Sequence, residues 1–235
     1  MADKIQVAVR VRPVLFQKKD VEVHWGTEQG MVVQLDPSTR KRIGNPYLFD
    51  LVFGSDTRNQ QIFNSLARPL VDSAMQGFNV TVLAYGQTAS GKTYTMMGSQ
   101  QEFGIVQLVV ERIFTVIENQ PEREFLLRCS YIEIYNETIS DLLSSTHQKL
   151  KVQELAEGHV IVQNLSETNV NTTDAVLKLM QQGNKQRKVG GTSMNERSSR
   201  SHTIFRIIVE SRPCSDDDND AAVIVSHINL GKLLV

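Results

Sequence analysis

Eight consecutive residues in the first half of the chain read GQTASGKT, and this run constrains the fold more than any other feature. The pattern of Gly, four free residues, Gly, Lys, and then Ser or Thr describes a phosphate-binding loop. We interpret the run as a P-loop that binds a nucleoside triphosphate. Its residues are Gly86, Gln87, Thr88, Ala89, Ser90, Gly91, Lys92 and Thr93.

Each required residue of this loop has a physical role. Gly86 and Gly91 let the backbone turn its amides toward an anion, and Lys92 supplies positive charge to the outer phosphates. The Thr93 hydroxyl suits a magnesium ion. The apolar run 80–85 predicts a buried strand before the loop, and a helix is expected to begin directly after it. A glycine-rich turn without a ligand is the alternative at this point.

The composition sets limits without choosing a function. The 235 residues carry a net charge of −1, so no global basic field points to nucleic acid or to a membrane surface. Cys129 and Cys214 do not make a disulfide framework, and reduced thiols in the cytoplasm are expected. The sequence contains no signal peptide or transmembrane stretch. Because of the charge balance, nucleic acid is not an expected partner, and neither is a membrane.

Alternating strand and helix patterns run along the chain, which is typical of an α/β fold. The region 21–35 is β-like, with turns expected around Gly26 and Gly30. The acidic tip 216–220 is expected to be a solvated hairpin loop. The remaining predicted strands are 5–11, 125–135, 202–209 and 222–230.

Helical spacing of apolar residues predicts three longer helices. Pro69 should bend the first of them locally, and Gly77 should stop it. Thr172 or Thr173 is expected to cap the third helix, with Gly183 near its end. The three predicted helices are 62–75, 105–117 and 173–180.

A second polar motif, NERSSRSH at 195–202, comes directly before a predicted strand. Hydroxyls ligate magnesium, and a loop of this kind can respond to the γ-phosphate of a nucleotide. For this segment in isolation, a polar capped turn is the default interpretation.

Four motifs together closely resemble the kinesin motor domain: RVRP at 10–13, AYGQTASGKTYTMMG at 84–98, SYIEIYNE at 130–137, and NERSSRSH. The run 123–143 is most similar to the centromere-associated mitotic kinesins, and the likeness covers residues 4–230. The resemblance implies a P-loop NTPase fold with three layers, in which helices flank a mixed central β-sheet. It implies one motor domain over residues 1–235 that lacks its C-terminal part.

The resemblance also implies a role for individual residues. Arg10 and Pro13 match the pair that borders the adenine ring of ATP, and Tyr94 matches the aromatic position that stacks on it. The loop at 86–93 would wrap the phosphates.

The second motif would complete the site around the γ-phosphate. Ser199 would join Thr93 around Mg²⁺, and Ser198 would help to order the attacking water. Asn195 matches a polar position near the γ-phosphate. In the family, Arg200 pairs with a glutamate of the second switch.

Beyond Leu230 the chain departs from the family's pattern. The expected continuation is VDLAGSE, whereas residues 231–235 read GKLLV. Lys232 therefore occupies the position of the Walker B aspartate, and a cation there reverses the electrostatics beside Lys92 and Mg²⁺. The glycine that detects the γ-phosphate and the glutamate expected to pair with Arg200 are absent. We expect impaired hydrolysis.

Further elements follow this position in the family, among them the main tubulin-binding helix, the neck linker and a strand of the central sheet. That strand lies between the first strand and the P-loop strand, so each neighbour should have a partner on one side only. Open edges are costly and prone to aggregate, and we expect a folded but fragile fragment.

Lys149, Lys151 and His159 match a minor tubulin-facing loop, although scattered basic residues are also typical of solvated surface.

Two explanations fit this ending: a shortened or misread product, or a real short protein that kept the nucleotide cradle and lost the motor. The uninterrupted match up to Leu230 favours the first.

The leading functional hypothesis is an ATP-dependent microtubule motor in the cytoplasm and cytoskeleton, with the spindle or kinetochore as its place of action. Dimerisation would use a stalk outside this chain. The alternative is a non-enzymatic binding or regulatory module, and a nucleotide kinase is disfavoured because nothing marks an acceptor pocket.

Overall fold

The computed structural model describes residues 5–14, 22–146, 149–155, 160–189, 201–214 and 222–233. The chain forms two compact units, Met1–Ile62 and Phe63–Val235. In the first unit, β1 pairs in parallel with β5, and β2, β3 and β4 form an antiparallel sheet. Its elements are β1 (Ala8–Arg10), β2 (Trp25–Glu28), β3 (Met31–Leu35), β4 (Arg42–Leu48), β5 (Leu51–Phe53) and α1 (Asn59–Ile62).

The first unit confirms part of the predicted strand pattern. The strand predicted over 5–11 is present but shorter, because only Ala8–Arg10 pairs with β5. The turn at Gly30 is confirmed, with a φ of +79°. The turn expected around Gly26 is wrong, because Gly26 lies inside β2. A Cβ at this position would lie 3.0 Å from Leu35 Cδ1, so the glycine makes room for the Leu35 side chain.

In the part of the chain that the structure describes, the second unit is built on an eight-stranded sheet. Its strands are β6 (Val80–Ala84), β7 (Arg123–Tyr135), β8 (Thr138–Asp141), β9 (Lys149–Glu154), β10 (Val160–Gln163), β11 (Thr168–Val170), β12 (His202–Pro213) and β13 (Ile224–Lys232). The strand order is β10-β9-β8-β7-β12-β13-β6, and β11 pairs with β7. Neighbours are antiparallel except for β13 and β6, which are parallel. The predicted α/β fold with a mixed sheet is confirmed.

The long central strands agree with their predicted patterns. β7 alternates as expected, and its buried face carries Leu127, Cys129, Tyr131 and Glu133. β12 and β13 pair as predicted, from Ser211 opposite Ile224 to Thr203 opposite Lys232. The predicted acidic loop 216–220 lies outside the described residues.

The P-loop strand β6 lies at the edge of the sheet in the described part of the chain. Its pairing partner is β13, and Leu83 is 49% exposed, whereas Val80 is buried. The prediction of a buried strand is therefore wrong, because a strand that pairs along one edge leaves its other edge open to solvent. The expectation that β1 and β6 each have a ladder on one side only is confirmed for the described residues.

Helices pack against this sheet and against each other. They are a π-helical turn (Phe63–Ala67), α2 (Arg68–Ala74), α3 (Lys92–Met97), α4 (Ile105–Glu118) and α5 (Thr173–Val189). The π-helical turn ends two residues before Pro69, which lies in the first turn of α2, where the missing N–H of proline is tolerated. The bend expected at Pro69 stays a prediction. Gly77 follows α2 with a φ of +101°, as a stop signal requires. None of the helices in the described ranges is long and apolar enough to cross a membrane.

Helix α5 begins as predicted but ends later. The Thr172 hydroxyl accepts a hydrogen bond from the Ala175 N–H at 3.1 Å, which confirms the cap. The prediction that Gly183 marks the helix end is wrong, because α5 continues to Val189. A Cβ at position 183 would lie 2.4 Å from Tyr131 Cδ1, so this glycine permits the close approach of α5 to β7.

Candidate functional site

The P-loop connects β6 to α3, where the sequence predicts it. Gly86 and Gly91 have φ values of +148° and +101°, which favour glycine. A Cβ at position 86 would also lie 2.8 Å from Ser90 Oγ. Ala89 adopts a φ of +64°, and residues 87–89 are exposed. The loop therefore turns sharply and leaves its outer side open to solvent.

Lys92 is held against the carbonyls of the loop that it follows. Its ammonium donates hydrogen bonds to Gly86 O at 2.5 Å and to Gln87 O at 2.6 Å. The residue is 7% exposed, and burial lowers the pKa of Lys92. An incoming phosphate would accept these hydrogen bonds in place of the two carbonyls. The positive charge is thus already in position at the loop.

The two residues after Lys92 are exposed on α3. Thr93 carries the hydroxyl that is predicted to contact magnesium, and its side chain is open to solvent. Tyr94 is 43% exposed, and its hydroxyl forms a hydrogen bond with the Glu102 carboxylate. The side chain of Tyr94 is therefore open to solvent and not packed in the core.

Arg10 and Pro13 belong to the first unit. The Arg10 guanidinium donates to Asn59 Oδ1 at 2.6 Å and to Thr57 O at 2.9 Å, and Asn59 is fully buried. Pro13 is exposed. Within this unit, Arg10 ties β1 to the start of α1, and its proposed place beside adenine stays a prediction.

Most of the second predicted motif cannot be assigned a structure. Asn195, Ser198, Ser199 and Arg200 lie outside the described residues. The motif's next residue, Ser201, is fully buried and accepts a hydrogen bond from Arg187 at 2.6 Å. The end of the motif is therefore anchored to α5, directly before β12 begins.

Lys232 lies beside the strand that leads into the P-loop. It is paired with Ala84 of β6 on one side and with Thr203 of β12 on the other. Thr203 is in turn paired with Glu133 of β7. Directly paired residues point their side chains to the same face of a sheet, so Lys232, Thr203 and Glu133 share one face. The Leu233 N–H also donates to Ala84 O at 2.9 Å, which fixes this register.

A buried ion pair on the same face was missed by the sequence reasoning. Arg187 Nε donates to Glu133 Oε1 at 2.9 Å, and the two side chains are 11% and 1% exposed. The available signal was a carboxylate within the apolar face of the strand predicted over 125–135. Its partner lies on the part of α5 beyond the predicted helix end, so the pair was not found.

The charges around Lys232 are mainly positive. Burial and the nearby cations Arg187 and Lys92 lower the pKa of Lys232 to about 8, while Glu133 acts in the opposite direction. The charges of Lys92 and Lys232 therefore act on the same region of the site. This arrangement favours an anion there and disfavours a further cation.

The described residues do not fit a magnesium site. Thr93 supplies a hydroxyl, but Lys232 places a cation where the predicted pattern requires a carboxylate, and Ser199 is outside the described ranges. Within these ranges, no cluster of three or more His, Cys, Asp or Glu side chains could hold a metal ion. Magnesium prefers oxygen ligands that carry negative charge, which this face does not offer beyond the paired Glu133.

A mixed sheet that carries a glycine-rich loop between β6 and α3, with a lysine bound to the loop, defines a P-loop NTPase fold. A profile of the family described as "Kinesin motor domain" matches residues 10–233. The chain belongs to the kinesin motor domain family.

Several curated proteins are similar to the chain over nearly all of its length. Centromere-associated protein E of Homo sapiens is 45% identical in an alignment of 234 residues that covers 96% of this chain and 8% of that protein. Kinesin-like protein KIN-7I of Oryza sativa subsp. japonica is 43% identical over 97% of this chain and 19% of its own length. Kinesin-like protein KIN-7L of the same species is 40% identical, covering 97% of this chain and 37% of that protein. The chain thus spans a minor part of these relatives.

Proposed function

We propose that the chain binds ATP through its P-loop and is the nucleotide-binding part of a kinesin-type microtubule motor. One observation carries the proposal: the Lys92 ammonium is buried against the carbonyls of Gly86 and Gln87, at the mouth of a loop built with two positive-φ glycines. A charge held in this position neutralises phosphate oxygens with little rearrangement.

The roles proposed for the other residues follow from the family resemblance. The backbone of 86–93 would surround the phosphates, and Tyr94 would stack on the adenine ring. Arg10 and Pro13 would border the ring. Asn195, Ser198, Ser199 and Arg200 are proposed to act near the γ-phosphate, with Ser198 ordering the attacking water. Thr93 and Ser199 are the residues that would contact Mg²⁺, although the described site does not fit this ion.

The proposed motor acts on microtubules in the cytoplasm, and its place of action is the mitotic spindle or kinetochore. The name of the human relative, Centromere-associated protein E, supports the mitotic part of this proposal. Lys151 on β9 is exposed and is the described member of the predicted tubulin-facing group. The side chain of Lys149 and all of His159 lie outside the described residues. Dimerisation is proposed to use a stalk outside this chain.

A second candidate function is a non-enzymatic binding or regulatory module. Lys232 favours it, because a cation at this position cannot do what a carboxylate does for metal and water in phosphoryl transfer. Microtubule-stimulated phosphate release separates the two candidates. A motor should show release above background, whereas a module should bind nucleotide or tubulin without turnover.

The test of nucleotide binding is the Lys92→Ala variant with a fluorescent ATP analogue. We expect at least about a tenfold loss of affinity, because the variant removes the loop's positive charge. Helix content by circular dichroism should be unchanged. The matched control is Lys178→Ala on the exposed side of α5, which should bind like the parent chain. Equal affinity for the parent and Lys92→Ala would refute the proposed P-loop function.

A further inference from the structure

The position of Lys232 carries a consequence for how a nucleotide is held, which rests on the proposed ATP binding. Lys232 ends β13, the parallel neighbour of the P-loop strand, and is in register with Ala84. Gly86, the first residue of the P-loop, follows two positions later. The side chain of Lys232 lies on the same face of the sheet as Glu133, which pairs with Arg187 of α5.

Lys232 and the described groups whose charges act on it carry more positive than negative charge. Lys92, Arg187 and Lys232 contribute three cations, and Glu133 contributes one carboxylate, which leaves a net charge of +2. Arg187 Nε donates to Glu133 Oε1 at 2.9 Å, so the negative charge of Glu133 is already compensated. The triphosphate of ATP without a metal carries about four negative charges at neutral pH, twice the net charge available here.

We propose that Lys92, Arg187 and Lys232 form a cationic site that binds the oligophosphate of a metal-free nucleoside triphosphate. The Lys232 ammonium neutralises the phosphates in place of a divalent cation. Mg²⁺ is opposed here, because it would add two positive charges to a site that lacks an uncompensated carboxylate among the described residues. Burial, and to a smaller extent Arg187 and Lys92, lowers the pKa of Lys232 to about 8, which still leaves about nine-tenths of the ammonium protonated at pH 7.

The proposal predicts a metal dependence opposite to that of a magnesium-requiring P-loop. The probe is ATP, titrated calorimetrically into the whole chain at pH 7, once with EDTA and once with excess Mg²⁺. We expect binding in EDTA to be at least about threefold tighter than binding with Mg²⁺, since the metal cancels phosphate charge that the lysines otherwise use. Inorganic triphosphate should compete in EDTA, which assigns the effect to the phosphates and not to the base.

Variants at one position test the residue directly. Lys232→Asp restores the carboxylate, so binding in EDTA should weaken at least about tenfold and Mg²⁺ should then improve it. Lys232→Arg keeps the charge and should retain metal-free binding. Lys178→Asp, an equal change of charge on the exposed side of α5, should leave both affinities unchanged.

The outcomes distinguish this inference from the proposed function. If the parent chain binds ATP with Mg²⁺ but not in EDTA, the metal-free site is refuted and ATP binding stands. If Lys232→Asp and the parent bind equally in EDTA, the role of Lys232 is refuted. If a folded parent chain binds ATP in neither buffer, the proposed function fails together with the inference.

Discussion

The partial burial of Lys232 beside Lys92 and Arg187 should make the stability of the folded chain depend on pH. These surroundings lower the pKa of Lys232 from its ordinary 10.5 to about 8. Between these two values the unfolded chain binds a proton that the folded chain does not. Stability therefore rises as the pH increases through this window.

The size of the effect follows from the same pKa values. A difference of about 2.5 pKa units, at about 1.36 kcal/mol for each, gives about 3 kcal/mol as an upper limit. Lys232→Met removes the charge and keeps a similar side-chain length. At pH 7 the variant should be more stable than the parent chain by up to about 3 kcal/mol, and the difference should vanish near pH 10.5.

The assay is urea unfolding of both proteins at several values between pH 7 and pH 10.5. The titration of tyrosines and other lysines is common to both proteins and cancels in the difference. Lys178→Met serves as the control, because this lysine is exposed and its removal should give a flat difference. A flat difference for Lys232→Met as well would refute the reasoning that Lys232 is a crowded, partly buried cation.

Two further predictions concern packing around the same face. Glu133→Gln should destabilise the chain by about 3–5 kcal/mol in urea unfolding, because it removes the buried carboxylate with which Arg187 pairs. The control Glu124→Gln, in an ion pair whose side chains are 63% and 58% exposed, should cost no more than about 1 kcal/mol; equal losses would contradict this assignment. Gly183→Ala should lower the melting temperature through a loss of about 1–3 kcal/mol, because its Cβ would lie 2.4 Å from Tyr131 Cδ1. If Gly183→Ala stabilised the chain instead, as Gly→Ala usually does inside a helix, α5 would not pack this closely on Tyr131.

The features that the sequence predicts well are those set by local chemistry. The P-loop is recognisable because each required residue has its own steric or electrostatic role within one short segment. The Thr172 cap depends on a bond to a residue three positions away, and β7 depends on an alternation along its own length. None of these features requires knowledge of what lies across the fold.

The predictions that failed concern contacts between distant segments. Gly183 has the signature of a helix end, but it is a glycine because α5 packs on Tyr131. β6 has an apolar sequence typical of a buried strand, yet among the described residues it pairs along one edge with β13, which leaves it partly exposed. Glu133 and Arg187 are 54 positions apart, so neither residue indicates the other in the sequence. Only the sheet register brings Glu133 onto the same face as Lys232.

A phosphate site can bind an oligophosphate and can hydrolyse it, and Lys232 affects these two functions differently. Binding an oligophosphate requires compensation of negative charge, and ammonium groups supply such compensation. Turnover requires a metal and a water molecule in fixed positions, for which a carboxylate acts as an acceptor and a lysine cannot. A chain with Lys92 at the loop and Lys232 at the end of the neighbouring strand should therefore retain affinity for the nucleotide while its hydrolysis is impaired. Binding and phosphate release, measured on the same preparation, should diverge for this reason.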